Sequence, residues 1–200
     1  NLGILMVQGL VNSFGTTVMA AFAAAVKIDA FAYMPVQDFG NAFSTYVAQN
    51  YGAGQTDRIR KGIRTAFVCV LLFCILITSL VCLFARPLML IFVDASEAAI
   101  LDAGVQYLYI EASFYIGIGI LFMLYGYYRA VGRPGISVVL TVISLGTRVV
   151  LAYTLSAIPS IGVIGIWISV PIGWFLADLT GILLYRHTMS KKHVGKSENA

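Results

Sequence analysis

Long stretches without a charged side chain are the feature that most limits how this chain can fold. Residues 2–26, 65–85 and 149–177 contain no Asp, Glu, Lys or Arg. A helix needs about 20 consecutive apolar residues to cross the hydrocarbon core of a bilayer. Over the whole chain only 11% of residues are charged, whereas soluble proteins carry roughly a quarter. We therefore predict an all-α integral membrane protein.

The apolar runs and the turn-forming residues between them predict six transmembrane helices. The segment 12–17 is rich in turn formers, and residues 26–29 are not, so the first break is placed at 12–17. The predicted helices cover about 2–14, 17–50, 60–84, 100–129, 135–156 and 162–186. The first would be about 20 Å long, too short to span. Because the chain also starts with Asn1 inside an apolar run, we expect a truncated first helix in a fragment of a longer protein.

The second helix and the C-terminal tail differ from simple spans. Residues 17–50 exceed the length of a span, so this helix must tilt, kink or protrude, with Pro35 and Gly40 as the expected kink positions. Residues 187–200 are polar. We predict a disordered cytoplasmic tail there.

Positive charges concentrate on one side of the predicted helices. That side carries ten Lys and Arg residues: Arg58, Arg60, Lys61, Arg64, Arg129, Arg133, Arg186, Lys191, Lys192 and Lys196. The other side carries Arg86, and Lys27 and Arg148 fall inside spans. Such a bias predicts a multi-pass plasma-membrane protein with both ends of this segment in the cytoplasm. It also explains the net charge of +4 without a nucleic-acid partner.

Four passages resemble a known transporter family. They are AAFAAAVKID at 20–29, AQNYGAG at 48–54, YRAVGRP at 128–134 and GTR at 146–148. In this order they are similar to the C-terminal half of the multidrug and toxic compound extrusion (MATE) family. The resemblance covers nearly the whole chain, up to about Arg186.

This resemblance implies an architecture and a function. The family has twelve helices in two six-helix lobes around a central cavity, so this chain would supply the second lobe and require the first as partner. Alternating access would exchange a drug or organic cation for sodium ions or protons across the lipid bilayer, with no cofactor beyond the coupling ion. The chain departs from the family at Tyr125–Ala130, where relatives often carry an Arg-x-x-x-Gln pattern.

Six ionisable residues fall inside the predicted spans, where each costs on the order of 3 kcal/mol. They are Lys27, Asp29, Asp38, Glu111, Arg148 and Asp178. Two structural explanations need no function: opposite charges pair between helices, or Lys27 and Asp29 lie near the outer interface, where Lys snorkels. The functional explanation is that these groups line a cavity and bind the substrate or the coupling ion.

Glu111 is the first candidate for cation coupling. Tyr107 lies one turn earlier on the same helix face, so a carboxylate and a phenol could hold a sodium ion, or the carboxylate a proton. In the family, an acidic residue with a Tyr four positions before it has been implicated in coupling, and the resemblance carries this role over to Glu111 and Tyr107. An ion pair between Glu111 and Arg148 is the structural alternative.

The remaining candidates are assigned to the cavity. Asp38 and Gln37 follow a proline, where a kink would open a polar pocket. Ordinary hydrogen bonding between helices is the alternative explanation for them. Asp178 lies near Trp174, and an acidic group beside an aromatic ring suits an organic cation. The other cavity candidates are Lys27, Asp29 and Arg148.

Two other functional classes are less favoured. A lipid-linked saccharide flippase of the wider superfamily would have a strongly basic cavity, but only Lys27 and Arg148 are basic inside the spans. A membrane-embedded transferase would need paired carboxylates or a His near a loop, and both histidines lie in the tail. We therefore expect a transporter rather than an enzyme, with no metal site beyond a possible sodium ion at Glu111.

Overall fold

A computed structural model describes residues 2–197, and the regular structure of these residues is entirely helical. The helices are α1 (Leu2–Asn12), α2 (Thr16–Gly52), α3 (Thr56–Leu83), α4 (Ala85–Met89), α5 (Ala98–Ala112), α6 (Tyr115–Ala130), α7 (Pro134–Ser156) and α8 (Ile164–Ser197). The predicted all-α fold is confirmed.

The break between α1 and α2 falls where the turn formers predict it. Gly15 adopts a φ of 96°, a left-handed conformation that glycine takes without steric penalty. With 11 residues, α1 is about 16 Å long and too short to span a bilayer. By contrast, α2 has 37 residues and stays one helix through Pro35, so at about 55 Å it is much longer than a span.

The lengths and apolar surfaces of the helices fit a membrane protein. Among the described residues, four helices are long and apolar enough to cross a membrane, namely α2, α3, α7 and residues 164–187 of α8. The outer face of α3 exposes large apolar side chains, including Leu72 at 63% and Leu76 at 57%. Lipid would cover such a face in a bilayer.

The fifth candidate span is broken, which corrects the single helix predicted over 100–129. The helices α5 and α6 meet at an angle of 52°. At the break, the hydroxyl of Ser113 donates to the carbonyl of Tyr109 at 2.6 Å, and Thr78 of α3 donates to the carbonyl of Ala112 at 2.6 Å. A Ser that bonds back to position i−4 bends a helix, and Thr78 satisfies a carbonyl that the bend frees.

The C-terminal helix also differs from the prediction. The sequence predicted a helix end near Arg186 and a disordered tail over 187–200, but α8 continues to Ser197. Extending a helix that is already nucleated fixes one residue per hydrogen bond, so the polar residues after Arg186 can continue it. Residues 198–200 lie outside the described part of the chain.

Contacts between helix ends define two ends of the bundle. At one end, the Tyr46 hydroxyl donates to the carbonyl of Arg58 at 3.0 Å, and the rings of Tyr127 and Tyr185 meet edge to face at 5.1 Å. We call this the basic end, because it holds the start of α3 and the loop 131–133. At the opposite end, Arg86 and Asp102 form an ion pair of 2.9 Å between α4 and α5.

Candidate functional site

A buried carboxylate of α2 is held by two phenols. The hydroxyl of Tyr115 donates to Asp29 Oδ1 at 2.6 Å, and the hydroxyl of Tyr107 approaches Asp29 Oδ2 at 3.4 Å. Asp29 is 5% exposed. Because Tyr107 lies on α5 and Tyr115 is the first residue of α6, both halves of the broken span contact α2 at this carboxylate.

Glu111 lies beside this group and has no hydrogen-bond partner. Its side chain is 0% exposed, and neither carboxylate oxygen has a partner among the described residues. Asp29 and Arg148 are the charged groups that act on it electrostatically. An ionised carboxylate left unpaired in apolar surroundings is very costly. The position therefore favours a carboxylate that has taken up a proton or a cation.

The position of Glu111 follows from the helix break. It is the second-last residue of α5, two positions before Ser113, and the chain turns by 52° between α5 and α6. Discontinuous membrane helices place backbone and side-chain oxygens inside the bilayer, which is where transporters bind ions. We call Asp29, Tyr107, Glu111, Tyr115 and Arg148 the polar cluster.

An aromatic wall adjoins the polar cluster. The ring of Trp167 of α8 stacks on Phe22 of α2 at 5.4 Å and meets Tyr107 edge to face at 5.0 Å. The indole nitrogen of Trp167 is buried without a partner among the described residues. Aromatic faces next to carboxylates attract cations, so this wall suits an organic cation as well as an inorganic one.

The structural explanation by ion pairs does not hold in the described part of the chain. Glu111 and Arg148 form no ion pair there, and the ion pair that is present, Arg86–Asp102, lies outside the cluster. Lys27 is exposed, with its ammonium 5.6 Å from the centre of the Phe92 ring. Its neighbour Asp29 is buried, so the interfacial explanation fits Lys27 and fails for Asp29.

Asp38 and Gln37 lie apart from the polar cluster. Both are exposed on α2. Gln37 lines a groove of about 350 Å³ between α2, α6 and α7, in which Arg129 donates to the side-chain oxygen of Asn41 at 2.9 Å. Asp38 is not part of that lining.

Asp178 occupies a second buried position, on α8. It is 6% exposed, and its Oδ1 has no partner among the described residues. Together with Trp174 it faces Gly117 of α6, where an added Cβ would lie 3.8 Å from Asp178 Oδ2 and 3.4 Å from Trp174. Asp178 is thus next to the aromatic ring that the sequence suggested, and no hydrogen bond among the described residues joins it to Asp29.

Tyr115 and Thr78 were not found from the sequence. Tyr115 lies 86 positions from Asp29, and neither Tyr115 nor Thr78 belongs to a passage that resembles the family. The local signal was Ser113 inside an apolar helix, because a Ser that bonds back to the i−4 carbonyl often bends a helix.

Replacing Tyr115 by Phe should lower the free energy of unfolding by about 1.5 kcal/mol, because a hydrogen bond to a buried carboxylate is lost. Unfolding in mixed micelles measures the change. Tyr109→Phe is the matched control, since Tyr109 is 49% exposed on α5. An equal loss in both variants would contradict the hydrogen bond to Asp29.

Comparisons with known proteins relate this chain to a transporter family. The family model described as MatE matches residues 1–154. A probable multidrug resistance protein of Bacillus subtilis (strain 168), YpnP, is 29% identical over 187 residues, which cover 92% of this chain and 41% of that protein. The chain therefore spans about two fifths of the length of this curated relative.

Solved structures share the fold. A crystal structure of MATE in complex with MaL6 superposes with a TM-score of 0.87 at 20% identity, over 95% of this chain and 43% of that one. A transporter of the MOP superfamily from Pyrococcus furiosus also gives 0.87 at 20% identity, over 94% and 42%. In both cases the match covers less than half of the larger protein.

Proposed function

Because the chain belongs to the MatE family, we propose that it is the C-terminal lobe of a secondary antiporter that extrudes drugs or organic cations. Inward flow of sodium ions or protons drives this export by alternating access. A second lobe of the same protein completes the central cavity. The limited coverage of the relatives, 41% for YpnP, supports a second lobe of similar size.

One observation carries the coupling role. Glu111 is fully buried at a helix break, and both of its oxygens lack partners among the described residues. A proton or sodium ion would neutralise this carboxylate, with Tyr107 and Asp29 as further oxygen ligands at the same place. Loss of the ion leaves an uncompensated charge, so the occupied and empty states have different stable geometries. This difference couples ion release to the opening of the cavity.

The aromatic wall supports a cationic substrate. Phe22, Tyr107 and Trp167 form consecutive ring contacts of 5.0 to 5.6 Å beside the two carboxylates. Substrate and coupling ion would then compete for the same negative charge, which is the simplest basis for exchange. A saccharide flippase would need several basic groups in its cavity. Lys27 is exposed, at the end of the bundle opposite the basic end. Arg148 is therefore the basic residue of the polar cluster.

Transport assays on the full-length protein test this function. In proteoliposomes loaded with ethidium, an imposed sodium gradient or pH gradient should accelerate efflux over that in vesicles without a gradient. The gradient that works identifies the coupling ion. If neither the sodium gradient nor the pH gradient makes efflux faster than it is without a gradient, coupled antiport is contradicted.

The orientation of the lobe gives a second test. The basic end carries most of the Lys and Arg residues, so we expect it to face the cytoplasm. A topology reporter fused after Lys192 should then give the signal of a cytoplasmic location. A fusion after Asp94, in the loop at the opposite end, is the control and should report the outer side. The reverse pair of signals would overturn the assignment.

A further inference from the structure

An apolar groove opens at the basic end, away from the polar cluster. It has a volume of about 310 Å³ and is formed by α2, α3, α6 and α8. The walls are made of apolar side chains, among them Phe43, Ile63, Phe67, Met123 and Ile182. The polar groups of the lining come from Arg60, Arg64 and two tyrosines.

The two arginines form the charged mouth of the groove. Arg60 and Arg64 are one turn apart, so they share one face of α3. Both are exposed, and Arg60 interacts electrostatically with Tyr185 across the groove. From Arg60 to Phe67 the groove extends about 10 Å along α3. A pair of cations thus leads directly into an apolar channel that is shorter than one leaflet of the bilayer.

We propose that this groove binds an anionic phospholipid of the leaflet at the basic end. Its phosphate lies between the guanidinium groups of Arg60 and Arg64, which match phosphate geometry, and one acyl chain lies along Ile63 and Phe67. Basic pockets between membrane helices are sites where acidic head groups bind. This inference is independent of the transported substrate and of the coupling ion.

A second apolar groove, which has no arginine in its lining, provides a comparison. It lies toward the opposite end, has a volume of about 550 Å³, and is lined by α2, α3 and α4 with residues such as Phe31, Leu80 and Phe92. Its lining includes no Lys or Arg. Apolar shape alone would therefore admit any lipid at either groove. The guanidinium pair makes the basic-end groove selective for an acidic head group.

The positive charge at its mouth also distinguishes this groove from the proposed drug site at the polar cluster. Two positive groups at the mouth repel an organic cation, whereas the carboxylates of the polar cluster attract one. A lipid that bridges α3 and α8 at this point would hold the ends of these two helices together.

Lipid binding to the full-length protein tests the proposal. Native mass spectrometry in detergent would compare dioleoyl phosphatidylglycerol with dioleoyl phosphatidylcholine, which have the same acyl chains. The wild type should prefer phosphatidylglycerol by about 30-fold, because two basic groups each contribute to binding of the acidic lipid. R60Q/R64Q should reduce this preference to near unity.

The control removes the same charge from another face of α3. Arg58 and Lys61 lie outside the groove lining, so R58Q/K61Q should keep the preference. Glycerol 3-phosphate carries the head group without acyl chains and should not displace the lipid. The proposal is overturned if R60Q/R64Q keeps the preference for phosphatidylglycerol or if R58Q/K61Q loses it equally. It is also overturned if glycerol 3-phosphate displaces the bound lipid.

Discussion

Glu111→Gln should abolish the effect of the coupling ion on substrate binding. In the wild-type full-length transporter, ion and substrate affinities are linked by a coupling that is typically 5- to 150-fold, or about 1–3 kcal/mol. Gln has the same shape as Glu but cannot ionise, so it mimics the ion-loaded state permanently. Ethidium affinity measured with and without sodium, and at two pH values, should then be the same in the variant.

The acceleration of efflux by an ion gradient should be lost in the same variant, because transport by exchange requires the coupling. Glu97→Gln is the matched control, since Glu97 is exposed immediately before α5 and should leave both measurements unchanged. Elution of the variant as a single folded species separates loss of function from loss of fold. If the ion still shifts ethidium affinity in Glu111→Gln by the wild-type factor, the coupling role of Glu111 is wrong.

Gly126→Leu should destabilise the lobe by about 3 kcal/mol, the upper range for overpacking a tight contact. A Cβ at Gly126 would lie 2.6 Å from the backbone oxygen of Gly40, so the side chain would push α6 away from α2. Small residues permit such close approach of membrane helices. Since α2 carries Asp29 and α6 carries Tyr115, the same change should disturb the polar cluster.

Gly146→Leu provides the comparison within one chain. Gly146 is also helical, on α7, but a Cβ there would meet nothing within 4 Å. In mixed-micelle unfolding this variant should be as stable as the wild type or slightly more stable, because Leu favours the helix over Gly. Equal destabilisation of the two variants would contradict the assignment of the loss at Gly126 to the α2–α6 contact.

Much of the fold was accessible from the sequence because membrane insertion depends on consecutive residues. Apolar runs and the turn formers at 12–17 located the long helices to within a few residues, except at two places, and the short helix α4 was not predicted. The predicted helix over 100–129 is broken at Ser113, where Thr78 of another helix satisfies the carbonyl of Ala112 that the bend frees. The predicted end near Arg186 was too early because polar residues can extend an existing helix.

The site was only partly accessible. Spacing alone paired Glu111 with Tyr107, since positions four apart on a helix share a face. The same reasoning treated Asp29, Asp38 and Asp178 as equivalent, although the structure holds the first with two phenols, exposes the second and buries the third elsewhere. Sequence spacing gives no information on how a helix is rotated relative to its neighbours.

The sequence by itself therefore determined the all-helical membrane class of the protein and the order of its apolar helices, whereas the six predicted spans become four, or five with the bent pair, among the described residues. The class and the order depend on sums over neighbouring residues, and the bilayer imposes them on any packing. The tertiary structure decided which buried polar groups meet. Asp29 and Tyr115 lie 86 positions apart, and only the close approach of α2 to α6 at Gly40 and Gly126 brings them into contact. Without that packing, Glu111 would be one more acidic residue in an apolar helix.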